Sequence, residues 1–224
     1  MKTIKIGAIL AFVFSVALAW GVPFSDDFDR PDGEVGNGWS TQTDGTIKVE
    51  IVNKEVLIHG QQATDWARCG ISRPVENETK IQFDFLANDN FNVHIRVDDT
   101  STGAYIDIYA WPGGPFSYAS SKDGSWPGWT EIPGSNMIAN EYNTLKLEQD
   151  GSNFILYLNG KEVGKIKNEN LEKITKVLIS SDAAAGTVGS LHIDNVIIGE
   201  PSATPQAVDP RAKLSAIWGE LKKI

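Results

Sequence analysis

The chain has little of what most site chemistry is built from: one cysteine, three histidines and two methionines in 224 residues. A single thiol, Cys69, excludes an intrachain disulfide, so the hydrophobic core must hold the fold by itself. Cys69 stands before Gly70 and Ile71 in an apolar-leaning run, where it reads as a small buried hydrophobe with no chemistry of its own. G-x-S-x-G, H-E-x-x-H, C-x-x-C and P-loop patterns are all missing, which excludes the reactions those motifs carry. Positive charge is also short: 20 Lys and Arg face 29 Asp and Glu, a formal net charge of −9 that works against nucleic acid or anionic lipid as a partner. Neutral sugars and cations fit such a surface better. Apolar runs stop short of the roughly 20 residues a membrane span needs. The longest, Ile6 to Val16, follows Lys2 and Lys5 and precedes Ala17-Leu18-Ala19, the pattern of a secretory signal cleaved near Trp20. The expectation is a secreted or extracellular protein, the periplasm or cell surface included, without membrane attachment after cleavage. The one sequon, Asn77-Glu78-Thr79, matters only in a host that glycosylates and is otherwise a turn before a strand.

Helical periodicity is nearly absent too, and what is present is strand. Short runs of β-branched and aromatic residues alternate with polar ones and are broken by Gly, Asn, Asp and Pro. About a dozen such runs predict an all-β fold of two packed antiparallel sheets. Asp150-Gly151 and Asn159-Gly160 separate LKLEQ, FILYL and KEVGKIK, which predicts a three-strand meander. Asn168 to Lys173 reads as a short helical turn. The organisation is then a signal peptide over 1–19, a β-sandwich over 20–200, a Pro/Ala/Ser linker over 201–211 and a helical tail over 212–224. In the tail, Pro210 follows a capping Asp209, and Leu214, Ile217, Trp218 and Leu221 share one face. Such a tail either docks on its own domain or serves as a partner-docking or sorting element.

Three consecutive strands carry the richest pattern. Ile81, Phe83 and Phe85 alternate with Lys80, Gln82 and Asp84; Val93, Ile95 and Val97 alternate with Asn92, His94 and Arg96; Ile106 and Ile108 alternate with Tyr105, Asp107 and Tyr109. Pairing Val97 with Ala104 would set Arg96 opposite Tyr105, His94 opposite Asp107 and Asn92 opposite Tyr109. Hydrogen-bonding groups mixed with rings suit a sugar, whose hydroxyls need directional partners and whose C–H faces stack on aromatics. The plain alternative is a solvated sheet face. The segment Trp111 to Gly134 follows, long and rich in Gly and Pro, and its Trp111, Trp126 and Trp129 either rim that face or pin their own loop to the sandwich. Asp84 and Asp107 are expected to share this open face and, with His94, are the only groups placed for glycosidic or lyase chemistry.

FSDDFDRPDG with GNGWS, NEYNTLKLEQDGSNFILYLNGKEVGKI and the closing LHIDNVIIGE together resemble the concanavalin A-like lectin/glucanase superfamily, including laminin-G-like and laminarinase-like jelly rolls, over roughly Phe24 to Glu200. The resemblance implies a two-sheet jelly roll with a concave face that binds or cleaves poly- or oligosaccharides. Related laminarinases carry E-I-D-I-x-E; here YIDIYA keeps the central Asp107 but has Tyr105 and Ala110 where the two glutamates belong. That departure implies a non-catalytic module, with a hydrolase or lyase, or a structural or adhesion module, as alternatives. The resemblance further implies one structural calcium, matched here by Asp27 and Asp194, which otherwise cap turns.

Overall fold

The computed structural model describes residues 23–199; the signal segment, the linker and the amphipathic tail lie outside the described residues. Strands are β1 (Phe24–Asp26), β2 (Ser40–Gln42), β3 (Lys48–Val52), β4 (Glu55–Gln61), β5 (Cys69–Glu78), β6 (Lys80–Asp89), β7 (Val93–Asp98), β8 (Tyr105–Ala110), β9 (Ser117–Ser121), β10 (Thr130–Glu131), β11 (Asn143–Asp150), β12 (Asn153–Leu158), β13 (Lys161–Lys167), β14 (Ile174–Ser181) and β15 (Val188–Ile198). They form two antiparallel sheets, one ordered β13-β12-β11-β6-β15-β4-β3 with β1 on β15, the other β10-β9-β8-β7-β14-β5-β2. This is the expected all-β sandwich.

Turn chemistry explains the meander. Asn159 and Gly160 both have positive φ (51° and 79°) and close a two-residue loop between Leu158 and Lys161, the geometry Asn-Gly favours because its twist matches the strands. The core lies between the sheets: Phe83, Phe85 and Phe154 from the first meet Ile95, Ile106 and Ile108 from the second, all fully or almost fully buried. Burying each such side chain contributes about 1.5–3 kcal/mol, which serves in place of a disulfide. Cys69 belongs to this core, and burial, aided by the charge of Asp44, pushes its thiol up to about 11, so it stays protonated and inert.

FSDDFDRPDG forms the seam that closes the molecule. Phe24, Ser25 and Asp26 pair with Ile198, Ile197 and Val196, bringing the start and end of the sandwich together. The buried acid of the segment is Asp26. It accepts from the Phe28 amide (2.9 Å), Arg30 Nη1 (2.7 Å), Asn37 Nδ2 (2.9 Å) and Trp39 Nε1 (3.0 Å). Burial alone would raise its pKa, but these donors outweigh it and hold the carboxyl below its ordinary value.

Four expectations need correction. Asn168 to Lys173 is not helical; the Asn168 side chain instead donates to the carbonyls of Tyr105 (3.1 Å) and Ser121 (2.8 Å) and accepts from the amides of Asn170 and Leu171. Trp111 to Gly134 is not one loop, since β9 and β10 lie inside it and extend the second sheet. The β7–β8 register is two residues from the expected one: Arg96 pairs with Asp107, His94 with Tyr109 and Asp98 with Tyr105. β7 runs on to Asp98, and the turn is fixed by the Asp99 amide bonding Ala104 O and by the Asp99 carboxylate accepting from Ser101. A two-residue shift preserves parity, so the faces stand although the partners change. Finally, β6 belongs to the other sheet, so Asp84 does not share a face with Asp107. It accepts instead from Thr144 Oγ1 (2.5 Å) and Asn195 Nδ2 (2.8 Å) on the outside of the first sheet. Alternation reports parity within a strand, not which sheet the strand joins.

Candidate ligand-binding cavity

The outer face of the second sheet is ordered in rows by its registers. One row runs Gln42, Gly70, Ser180, His94, Tyr109, Ser117, and the next Ser40, Ser72, Leu178, Arg96, Asp107, Ala119. Just past the ends of these strands stand Arg68, Asp182, Asn92 and Trp111. There a cavity of about 430 Å³ opens, within the range of small-ligand sites.

Its floor is polar and tightly paired. His94, 2 % exposed, sets Nδ1 3.3 Å from Asp107 Oδ1 and Nε2 3.1 Å from Asp182 Oδ1. Burial disfavours the charged imidazole, but the hydrogen bonds and charges of the two aspartates outweigh it and raise the pKa above the ordinary value. Asp182 is held below its ordinary value: burial acts the other way, and the His94 hydrogen bond and charge, the Asn92 amide (2.7 Å) and Arg68 prevail. The Arg68 guanidinium pairs with fully buried Asp107 through Nη2 and lies 3.9 Å from Asp182 through Nε. Arg68 thus reaches from the start of β5 across to β8, over the face that holds His94.

The walls are aromatic. Tyr109 stacks on the His94 ring at 5.3 Å and 17°, and Trp129 meets Tyr109 edge-on at 4.3 Å. Trp126 extends that wall, 4.9 Å from Trp129, while Trp66 and Trp111 form a second pair at 6.3 Å. Trp66 and Trp126 are each 57 % exposed and Trp129 39 %, so the rings face open space rather than pinning their loops.

Of the nine residues expected at a ligand site, seven gather here: Asn92, His94, Tyr109, Trp111, Trp126 and Trp129 line the cavity, and Asp107 seals its floor from behind. Arg96 and Tyr105 share the sheet face but do not line the cavity. Arg96 lies 3.8 Å over the Tyr105 ring and bonds Asp98 at 2.8 Å, while the buried Tyr105 hydroxyl donates to Ser125 O at 3.4 Å, beside Trp126. They support the rim. Sequence reasoning missed Trp66, Arg68 and Asp182; the signal for the first two was one tryptophan and one arginine in the polar stretch QQATDWAR just before a strand, and Asp182 carried none.

The residues matched to calcium lie elsewhere. Asp27 is exposed and its carboxylate accepts from the Asp29 amide (3.2 Å); Asp194 is 3 % exposed and accepts from the Asn195 amide (2.8 Å). Among the described residues no three His, Cys, Asp or Glu side chains gather into a metal cluster.

No protein-family model and no curated protein sequence matches the chain. Solved structures do. One is an endo-acting O-glycanase that initiates mucin breakdown, expressed by the human gut microbiota, with a TM-score of 0.63 at 12% identity over 80% of this chain and 99% of that one. Another is a Bacillus licheniformis β-glucanase, TM-score 0.61 at 12% identity, covering 81% and 99%. A third is a sialidase, TM-score 0.62 at 14% identity, in which this chain spans only 19% of the length while 81% of it is matched. At such identities the likeness shows the fold alone, the two-sheet antiparallel β-sandwich described above.

Proposed function

We propose that the chain is a secreted carbohydrate-binding module that holds a poly- or oligosaccharide in the Tyr109–Trp129 cavity and does not cleave it. The observation that carries this reading is the cavity itself: five rings around a floor in which every charged group is already paired. Rings accept the C–H faces of sugars, and the paired floor offers fixed hydrogen-bonding partners to hydroxyls. The jelly-roll neighbours act on glycans, which agrees with a sugar ligand.

The same floor argues against hydrolysis. A glycosidase needs a protonated carboxyl and a second carboxylate flanking the scissile bond, about 5–9.5 Å apart according to stereochemistry. Here Asp107 is fully buried behind His94 and Arg68, and Asp182 is held ionised by its neighbours, so neither stands ready as a proton donor. Asp84 lies on the other sheet. Ala110, at the position of a family glutamate, packs in the core.

Affinity electrophoresis through gels containing laminarin, xylan, agarose or galactomannan tests the reading. Wild type is expected to be retarded by at least one polymer and Tyr109→Ala or Trp129→Ala to run freely, with no reducing sugar released. Free migration of wild type in every gel refutes binding; reducing-sugar release that Asp182→Asn abolishes refutes the non-catalytic part.

A further inference from the structure

We propose that the loop from Gln62 to Arg68 is the recognition arm of the cavity, with Trp66 as a stacking platform and Arg68 as a donor to an oxygen of an uncharged sugar. The proposal rests on the saccharide-binding reading above.

Trp66 has φ +57°, in the left-handed region that suits glycine and asparagine and is an outlier for a bulky side chain. Burial does not account for the choice, because the ring is 57 % exposed and meets Trp111 edge-on at 6.3 Å. The conformation is imposed from outside: the Trp66 amide donates to Ala183 O (2.8 Å), and Asp65 accepts from the Ala185 amide (2.7 Å), tying the loop to the segment after β14. A strained, exposed ring aimed at a cavity is the pattern of a residue kept for a ligand.

Two residues on, Arg68 is 22% exposed at the floor. Nη2 serves Asp107 and Nε faces Asp182, while Nη1 has no acceptor among the described residues, so its protons are open to a ligand oxygen. The charge of that ligand follows from His94. Both of its nitrogens face carboxylates, which only accept, so both donate and the ring is cationic. Arg68 and His94 therefore balance Asp107 and Asp182. A ligand charge of either sign would enter a floor with no counter-charge to spare, which favours neutral sugars over uronic, sulfated or amino sugars.

The test runs wild type, Trp66→Asn and Trp66→Phe through gels of neutral polymers (laminarin, xylan, agarose, galactomannan), of polygalacturonate and of chitosan, with thermal melts alongside. Asparagine suits the left-handed backbone, so Trp66→Asn is expected to stay folded and to lose at least ten-fold in affinity for the retarding neutral polymer, while Trp66→Phe keeps it within about three-fold. Trp66→Asn binding like wild type overturns this proposal and leaves the saccharide-binding reading standing. Preferential retardation of wild type by polygalacturonate or chitosan overturns the neutral-ligand assignment. Free migration of wild type in every gel overturns the binding reading and this proposal with it.

Discussion

Replacing Asp107 by Asn probes the cavity floor most directly, because the side chain keeps its shape and loses only its charge. Asp107 is fully buried between Arg68 and His94. Removing one partner of a buried ion pair costs about 3–5 kcal/mol, since the remaining charge stays desolvated. Arg68, 22% exposed, can regain water, whereas His94, 2% exposed, cannot, which places the cost near the lower figure, about 3 kcal/mol. For a domain of this size each kcal/mol moves Tm by about 2–4 °C, so a fall of roughly 6–12 °C is expected by scanning calorimetry. The double variant with His94→Gln pairs Arg68 with Asp182 alone and restores the balance, so its destabilisation should fall short of the sum of the single effects by about 0.5–3 kcal/mol. The penalty also depends on pH. The raised His94 pKa means that its stabilising contribution is fully present below the ordinary imidazole value of about 6.5 and is lost as pH rises through the folded value. The gap between wild type and Asp107→Asn should therefore narrow at alkaline pH. A Tm loss under 3 °C, or strict additivity with His94→Gln, would refute the paired-floor reasoning.

Other expectations follow from the same contacts. Asp26 and Asp182 have lowered folded pKa values, so their contributions hold above the ordinary aspartate value of about 3.9 and disappear as pH falls through the folded ones; acid titration followed by tryptophan fluorescence should show the loss setting in below pH 4 and weakened in Asp26→Asn. A Cβ on Gly70 would sit 2.2 Å from Ile179 O, so Gly70→Ala is expected to cost about 3 kcal/mol or more in urea unfolding, and an unchanged midpoint counts against the β5–β14 packing. A structural calcium at Asp194 predicts a Tm lowered by several degrees in chelator and restored by added Ca²⁺; indifference to both discards the ion.

Most of the fold was legible because alternation and turn chemistry are local. Val93, Ile95 and Val97 against His94 and Arg96 announce one core face and one polar face, and Asn159-Gly160 announces its hairpin. Sheet membership was not local, and so Asp84 was read onto the same face as Asp107 although the chain crosses between sheets after Asp89. The register of β7 on β8 depended on where a turn closed, which Asp99 decides through its bonds to Ser101 and Ala104.

The cavity shows why half its floor escaped sequence reasoning. His94, Tyr109 and Asp107 sit inside strands, where parity labels them. Arg68, Asp182 and Trp66 lie just outside strand ends, at positions that no periodicity labels, and they meet only because β5 and β14 pair in a register that sets Cys69 against Ser181. The next rung then carries Arg68 against Asp182, and the side chain of Asp182 meets His94 from one side as Asp107 does from the other. Shifting that register by one residue would send Arg68 to the opposite face and leave Asp107 with His94 as its one cationic partner. The Arg68 side of the ion-paired floor is thus a product of β5–β14 pairing, and Gly70, which lets the two strands approach, belongs to the site's construction although it touches no ligand.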